Sequence, residues 1–327
     1  MIEKLALALG AVLVGVLGAV ALFWLLNKAV ELLPDKWERR LKPYALLLPA
    51  ALAITVFLIY PAVTTAYASI LDKRSVEFVG LKNFTDLFST PAFLNTLFNN
   101  VLWILVAPAV IVAFGMLFAV LADKLKPTQE KVAKSIFFMP MAISMVGAST
   151  IWNLIYAWKP ADSPQIGLLN QILVLLGGEP QTWLQVEPWH VNTFLLMVVY
   201  IWTQVGYSMV LLSAALKGVP EDTVEAGRID GASERQIFFR IIVPQAWPTV
   251  ITVFITVLIG VLKVFDIVYT MTNGNFNTNV IANMFYNSMF KSFNTGQASA
   301  IVVVLMIAVI PVLVYQVRQF RVQEANS

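Results

Sequence analysis

The chain has 327 residues, of which 59% are apolar and 13% charged, with a formal net charge of +3. Soluble domains run at roughly 45–50% apolar and about 25% charged, so a water-soluble core cannot absorb this excess. Cysteine is absent and His190 is the lone histidine, which excludes a disulfide framework, a thiolate metal site and a histidine metal cluster.

Hydropathy divides the chain into seven apolar runs: residues 5–26, 44–70, 97–121, 136–158, 191–216, 247–270 and 298–317. About 20 residues, rising about 1.5 Å each, suffice to cross a hydrocarbon layer of roughly 30 Å, and every run is that long. The runs are continuous rather than alternating, which excludes a β-barrel. The expected fold is all-α: a polytopic membrane protein with seven transmembrane helices. The first run is longer than a signal-peptide core and has no small-residue cleavage site before Asn27, so it reads as a retained helix. Residues 1–43 then form an N-terminal helix with a cytoplasmic linker, and residues 44–327 a second domain of six helices.

Pro61, Pro108, Pro140 and Pro311 lie in or beside the runs, where proline kinks a helix or is simply tolerated. The segment 159–190 is rich in proline and acids and predicts a short amphipathic element over 167–176. In the fifth run, Trp202, Gln204 and Tyr207 fall close together. They form either a set of contacts for a polar solute or ordinary hydrogen bonds between helices.

Residues 217–246 form the longest polar insertion between the last runs. Pro220, Glu221 and Asp222 suit a helix N-terminus, Gly231 suits a left-handed C-cap, and Ser233 to Gln236 reads as a capping box opening a second short helix that Pro244 ends. Ala226 and Gly227 leave one face free of bulk for a partner surface. In the sixth run, Lys263 and Asp266 lie three apart, which on a helix makes them neighbours. Charges at bilayer depth face a cavity or a partner, so the pair is either a structural ion pair or part of a solute path.

Lysine and arginine set the orientation. With the 217–246 loop placed inside, fifteen of them fall on inner segments and six on outer ones, which implies an N-out, C-in chain. The basic residues then sit beside anionic lipid, and the mild net charge needs no nucleic acid to explain it.

The loop carries a longer pattern: Glu225-Ala226-Gly227, three residues ending in Asp230, Gly231, nine residues, then Ile241-x-Val243-Pro244. This resembles the EAA motif of the permease subunits of type I ABC importers, with Gly227 in place of the second alanine and Val243 in place of leucine. The likeness runs from about residue 44 to 320. It includes Phe78-Val-Gly-Leu-Lys-Asn-Phe84, Pro140 to Trp152, Gly167-Leu-Leu-Asn170, Trp202, Lys263-Val-Phe-Asp266 and Thr272-Asn-Gly274. The branch it is similar to is the maltose- and α-glucoside-type carbohydrate permeases.

The resemblance implies a transport subunit of the bacterial inner membrane, not an enzyme, that imports a sugar, the expected cargo being an α-glucoside or another di- or oligosaccharide. Permeases for glycerol phosphate or a polyol are the alternatives within the class. It implies that Glu225, Ala226, Gly227, Asp230, Gly231, Ile241 and Pro244 couple to an ATPase, and that Trp202, Gln204, Tyr207, Lys263 and Asp266 belong to the solute path. The implied partners are a second permease completing a heterodimer, an ATPase dimer on the cytoplasmic side, a periplasmic or lipid-anchored solute-binding protein, and membrane lipid. No G-x-x-x-x-G-K-[ST] is present. The chain is therefore expected to bind no cofactor, with ATP and Mg used by the partner ATPase. An ion-coupled carrier would need several carboxylates within its spans, and Asp266 is the only one. An intramembrane enzyme would need a catalytic set that the runs lack.

Overall fold

The computed structural model describes residues 2–326 and falls into two units, divided between Tyr67 and Ala68. In the N-terminal unit, α1 (Ile2–Glu31) is followed by α2 (Asp35–Ile54), a wide π turn (Thr55–Ile59) and α3 (Tyr60–Ala68), the last three running on as one helix. The wide turn lies just before Pro61, whose ring lacks an N–H and crowds the carbonyl one turn back. Asp35 and Glu38 occupy the first turn of α2, where the helix end is partly positive. No residue in the most apolar windows of the two long helices is buried. That exposure suits a hydrocarbon solvent.

The second unit contains α4 (Lys82–Phe88), α5 (Pro91–Asp123), α6 (Pro127–Phe138), α7 (Met145–Ile155), α8 (Leu168–Leu175), α9 (Val191–Lys217), α10 (Glu221–Ile229), α11 (Glu234–Ile237), α12 (Val243–Leu262), α13 (Asp266–Met271), α14 (Ile281–Tyr286) and α15 (Thr295–Asn326). Among the described residues there is no strand, only a bridge between Leu71 and Phe78. Helix α9 is central, with 56% of its apolar window buried against 28% for α5 and 22% for α15. Trp103, Ala107 and Ile111 of α5 pack on Leu196, Met197 and Leu212 of α9 and on Val253 and Val261 of α12. In a bilayer such contacts act through van der Waals packing, which small residues tighten. A Cβ at Gly206 would overlap the Phe137 carbonyl, so the end of α6 lies directly on α9.

Six helices among the described residues are long and apolar enough to cross a membrane, and a bent pair makes a seventh. That pair replaces the straight helix expected over 136–158: the segments Pro127–Ala142 and Met145–Ile155 meet at 101°. Pro140 interrupts the hydrogen-bond ladder there, and Ser144 starts α7 afresh by accepting the Gly147 N–H at 3.1 Å. The run over 247–270 is also broken. Helix α12 stops at Leu262, Lys263 and Phe265 leave helical geometry, and α13 begins at Asp266. Pro244 does not end the preceding helix. The chain passes through a second π turn (Phe238–Ile242), and Glu234–Leu262 forms one span. As at Pro61, the wider turn accommodates the proline ring.

Several residues behind the family likeness serve as framework. Asn83 donates to the Ser69 and Leu71 carbonyls at 2.8 and 2.7 Å. Fully buried Asn170, within the predicted 167–176 element, donates to the Ala157 and Gln181 carbonyls and accepts the Gln181 N–H. The 272–280 loop is held by amides of two spans: Asn95 and Asn99 of α5 donate to the Asn277 carbonyl, Asn99 also to Asn279, and Asn192 of α9 to Phe276.

Candidate functional site

The glycine joint and the capping box of the polar loop fall where predicted, but the helix that follows is no short one: it opens the Glu234–Leu262 span. At the end of α10 the Ala232 N–H donates to the Gly227 carbonyl and the Gly231 N–H to the Arg228 carbonyl, each at 3.0 Å. This is a Schellman ending, and it requires the left-handed conformation that Gly231 adopts with φ 79. Ser233 and Gln236 close the capping box: the Ser233 N–H donates to Gln236 Oε1 at 2.8 Å, and Ser233 Oγ accepts the Gln236 N–H at 3.4 Å. Arg228 Nε donates to Glu234 Oε1 at 2.9 Å across the joint. That bond, and then the carboxylate's charge, raise the pKa of Arg228 above its ordinary value.

The motif residues divide by direction. Gly227 is buried, and a Cβ there would lie 2.7 Å from Ile241 Cδ1. Its small size therefore lets α10 sit on the chain's own helix and does not leave a face open to a partner, contrary to the expectation from Ala226 and Gly227 together. Glu225, Ala226, Asp230 and Pro244 are exposed. So is Ile229, at 85%. Sequence reasoning passed over it because it occupies the variable gap of the motif, although an apolar residue between Arg228 and Asp230 was a visible signal.

A charged cluster stands at the end of the bundle from which the chain enters this knob. Lys217 Nζ, at the end of α9, lies 2.7 Å from Glu130 Oε1 on α6 and 3.4 Å from Asp123 Oδ1 at the end of α5, while Lys134 also reaches Glu130, at 2.6 Å. The ends of three helices are thus tied together immediately before α10 begins.

The structure divides the expected solute-path residues. Tyr200, Gln204 and Tyr207 recur at helical spacing on one face of α9. Tyr200, which sequence reasoning missed, reaches Gly260 and lines a cavity of about 190 Å³ with Met145, Lys263, Phe265 and Asp266. Trp202 lies on the opposite side of α9 in an apolar cavity of about 390 Å³ with Phe118, Phe137 and Trp152, its ring 5.9 Å from that of Trp152. Lys263 and Asp266 line the 190 Å³ cavity with Tyr200, but they are neither neighbours on one helix nor an ion pair among the described residues. The break between α12 and α13 leaves both side chains exposed, where a continuous helix would have had to seat two charges within the span. The apolar run hid that break.

Residues 81–322 match the family described as binding-protein-dependent transport system inner membrane component. An alpha-glucoside transport system permease protein of Rhizobium meliloti is 44% identical, with 97% of each chain covered. An osmoprotective compounds uptake permease protein of Synechocystis is 46% identical over 84% of this chain and 98% of its own. Among solved structures, a bacterial ABC transporter involved in the import of alginate has a chain that superposes with a TM-score of 0.73 at 21% identity, covering 88% of this chain and 98% of that one, which shows the fold.

Proposed function

Since the chain belongs to the family of binding-protein-dependent transport system inner membrane components, we propose that it forms one half of a sugar path, with an α-glucoside as cargo, and that the α10–α11 knob couples it to a separate ATPase. It is a membrane-embedded permease subunit of an ABC importer, a non-catalytic role. The observation that carries the coupling reading is a rigid knob whose glycines are used internally while Glu225, Ile229 and Asp230 face outward. An exposed isoleucine between charged residues fits a groove on a partner better than it fits water.

In this reading the knob and the C-terminus lie on the cytoplasmic side and the N-terminus outside. A second permease completes the path, an ATPase dimer binds ATP and Mg, this chain binds no cofactor, and a solute-binding protein delivers cargo from outside. Closure of the ATPase pair moves α10, and the Lys217, Glu130 and Asp123 cluster passes that movement to α5, α6 and α9 as a rigid-body switch. Tyr200, Gln204, Tyr207, Lys263 and Asp266 face the solute, offering hydroxyl, amide and charged hydrogen-bonding groups. Trp202, packed on Trp152, supports the bundle from behind.

Two relatives of similar identity carry different cargo names, so cargo is the first thing to measure. With the assembled importer in proteoliposomes, labelled maltose or trehalose should accumulate in an ATP-dependent manner only when the solute-binding protein is present. Accumulation of a free polyol or of glycerol phosphate without any maltose or trehalose uptake would overturn the α-glucoside assignment.

A further inference from the structure

The short helix α8 turns an apolar face outward. On its inner side Leu169 packs on the bundle core and Asn170 is fully buried, whereas Leu168, Ile172 and Leu175, which share a face at i, i+4 and i+7, are all exposed, Leu175 to 76%. Leu176 continues that surface, and no charged residue occurs between Asp162 and Glu179. A helix facing water would carry polar side chains here, and a face that a detachable protein partner leaves bare would need them whenever it stood free. The eight residues of α8, rising about 1.5 Å each, are far too few to cross the hydrocarbon layer, so the helix lies along a surface.

The chain itself fixes the level of that surface. Asn170 Nδ2 donates to the Ala157 carbonyl at 3.0 Å, and a Cβ at Gly167 would overlap the same carbonyl, so α8 begins directly against the end of α7. Trp158 stands just after α7 and Trp189 just before α9, both exposed, at the end of α9 remote from the knob. Trp189 is 90% exposed and held at φ 58, a region that a bulky residue enters where its surroundings demand it. Tryptophan at span ends marks the boundary between hydrocarbon and headgroups, because the indole is apolar in body and polar at its N–H.

We propose that α8 is an interfacial lipid anchor. Its Leu168, Ile172 and Leu175 face lies in the upper acyl region of the leaflet opposite the knob, with Trp158 and Trp189 at headgroup level on either side. Lipid is a permanent occupant, so the face never meets water. The anchor acts on the bent span: α8 is fastened to the end of α7, the half of that span whose hydrogen-bond ladder is interrupted by the 101° bend and which a continuous helix does not hold at depth. The proposal requires the chain to be membrane-embedded and is independent of its cargo.

The absence of cysteine allows a direct test. Leu168→Cys, Ile172→Cys, Leu175→Cys and, as a water-side control, Glu179→Cys are each spin-labelled in the complete importer, with cysteine-free partner subunits, in vesicles of phosphatidylethanolamine and phosphatidylglycerol. Dissolved oxygen concentrates in hydrocarbon and a neutral nickel chelate in water. Oxygen is expected to relax the labels at 168, 172 and 175 more strongly than the chelate does, and the order should reverse at 179. Retained ATP hydrolysis shows that each labelled particle is assembled.

Chelate-dominated relaxation at 168, 172 and 175 would place the face in water and overturn the anchor. Poor access to both reagents would overturn it too, by making the face a contact with the second permease. So would chelate access that falls when solute-binding protein is added, which would make the face a docking surface for that protein.

Discussion

Two polar segments interrupt the bundle, and they treat their polar groups in opposite ways. The 272–280 loop is bound to its own chain: Asn95, Asn99 and Asn192 cap its carbonyls, and Asn100 accepts the Ile281 N–H at 2.8 Å. Those bonds hold Asn273, Phe276 and Asn277 at φ values of 51 to 58, a region that asparagine tolerates and phenylalanine does not favour. The α10–α11 knob closes its hydrogen bonds within itself and presents Glu225, Ile229 and Asp230 outward. Both segments are closely hydrogen-bonded, the first by neighbouring spans and the second by its own residues. An outward surface on a self-contained knob is what a detachable partner requires.

Substitutions at the two segments should therefore separate stability from coupling. The largest expected effect is at the knob. Gly231→Val forces a β-branched residue to φ 79, which costs on the order of 1–2 kcal/mol locally. It should also redirect α10, lowering sugar-stimulated ATP hydrolysis more than about tenfold at 1.4 kcal/mol per decade while membrane insertion is retained. Unchanged stimulation would show that the glycine turn does not set the knob's direction.

Asn99→Ala should behave in the opposite sense. It removes one of two amide donors to the Asn277 carbonyl and the amide donor to the Asn279 carbonyl, and a carbonyl left unpaired away from water costs about 1–3 kcal/mol. The purified importer should melt several degrees lower with ATPase assembly intact. Loss of assembly at full thermal stability would reverse the comparison.

Smaller still is Arg228→Ala. Its partner Glu234 is 75% exposed, and an ion pair so open to water contributes little. A change within about threefold in coupled hydrolysis is expected. A loss matching that of Gly231→Val would mean that Arg228 itself contacts the partner.

The membrane class, the order of spans, the Gly231 turn and the Ser233 capping box were all legible, because each depends on local residue type and spacing. The 101° bend after Ala142 and the break after Leu262 were not, since an apolar run reads the same whether straight or bent. Lys263 and Asp266 looked adjacent because helical spacing was carried across that break. The inward role of Gly227 was hidden for a different reason: it is defined by Ile241, fourteen positions away, and such a contact exists only in the folded loop. Ile229 was overlooked because motif matching attends to fixed positions, whereas partner contacts are often made by the variable ones between them.

The absence of cysteine from the chain gives direct access to the central claim, that the knob seats against a nucleotide-hydrolysing subunit. Ile229→Cys, paired with single cysteines placed along the surface of a cysteine-free ATPase subunit, can be oxidised in the assembled importer. The account predicts a disulfide at position 229 whose yield changes on adding ATP, and none from a cysteine at Asn277 in the 272–280 loop. Cross-linking from position 277 but not from 229 would contradict it.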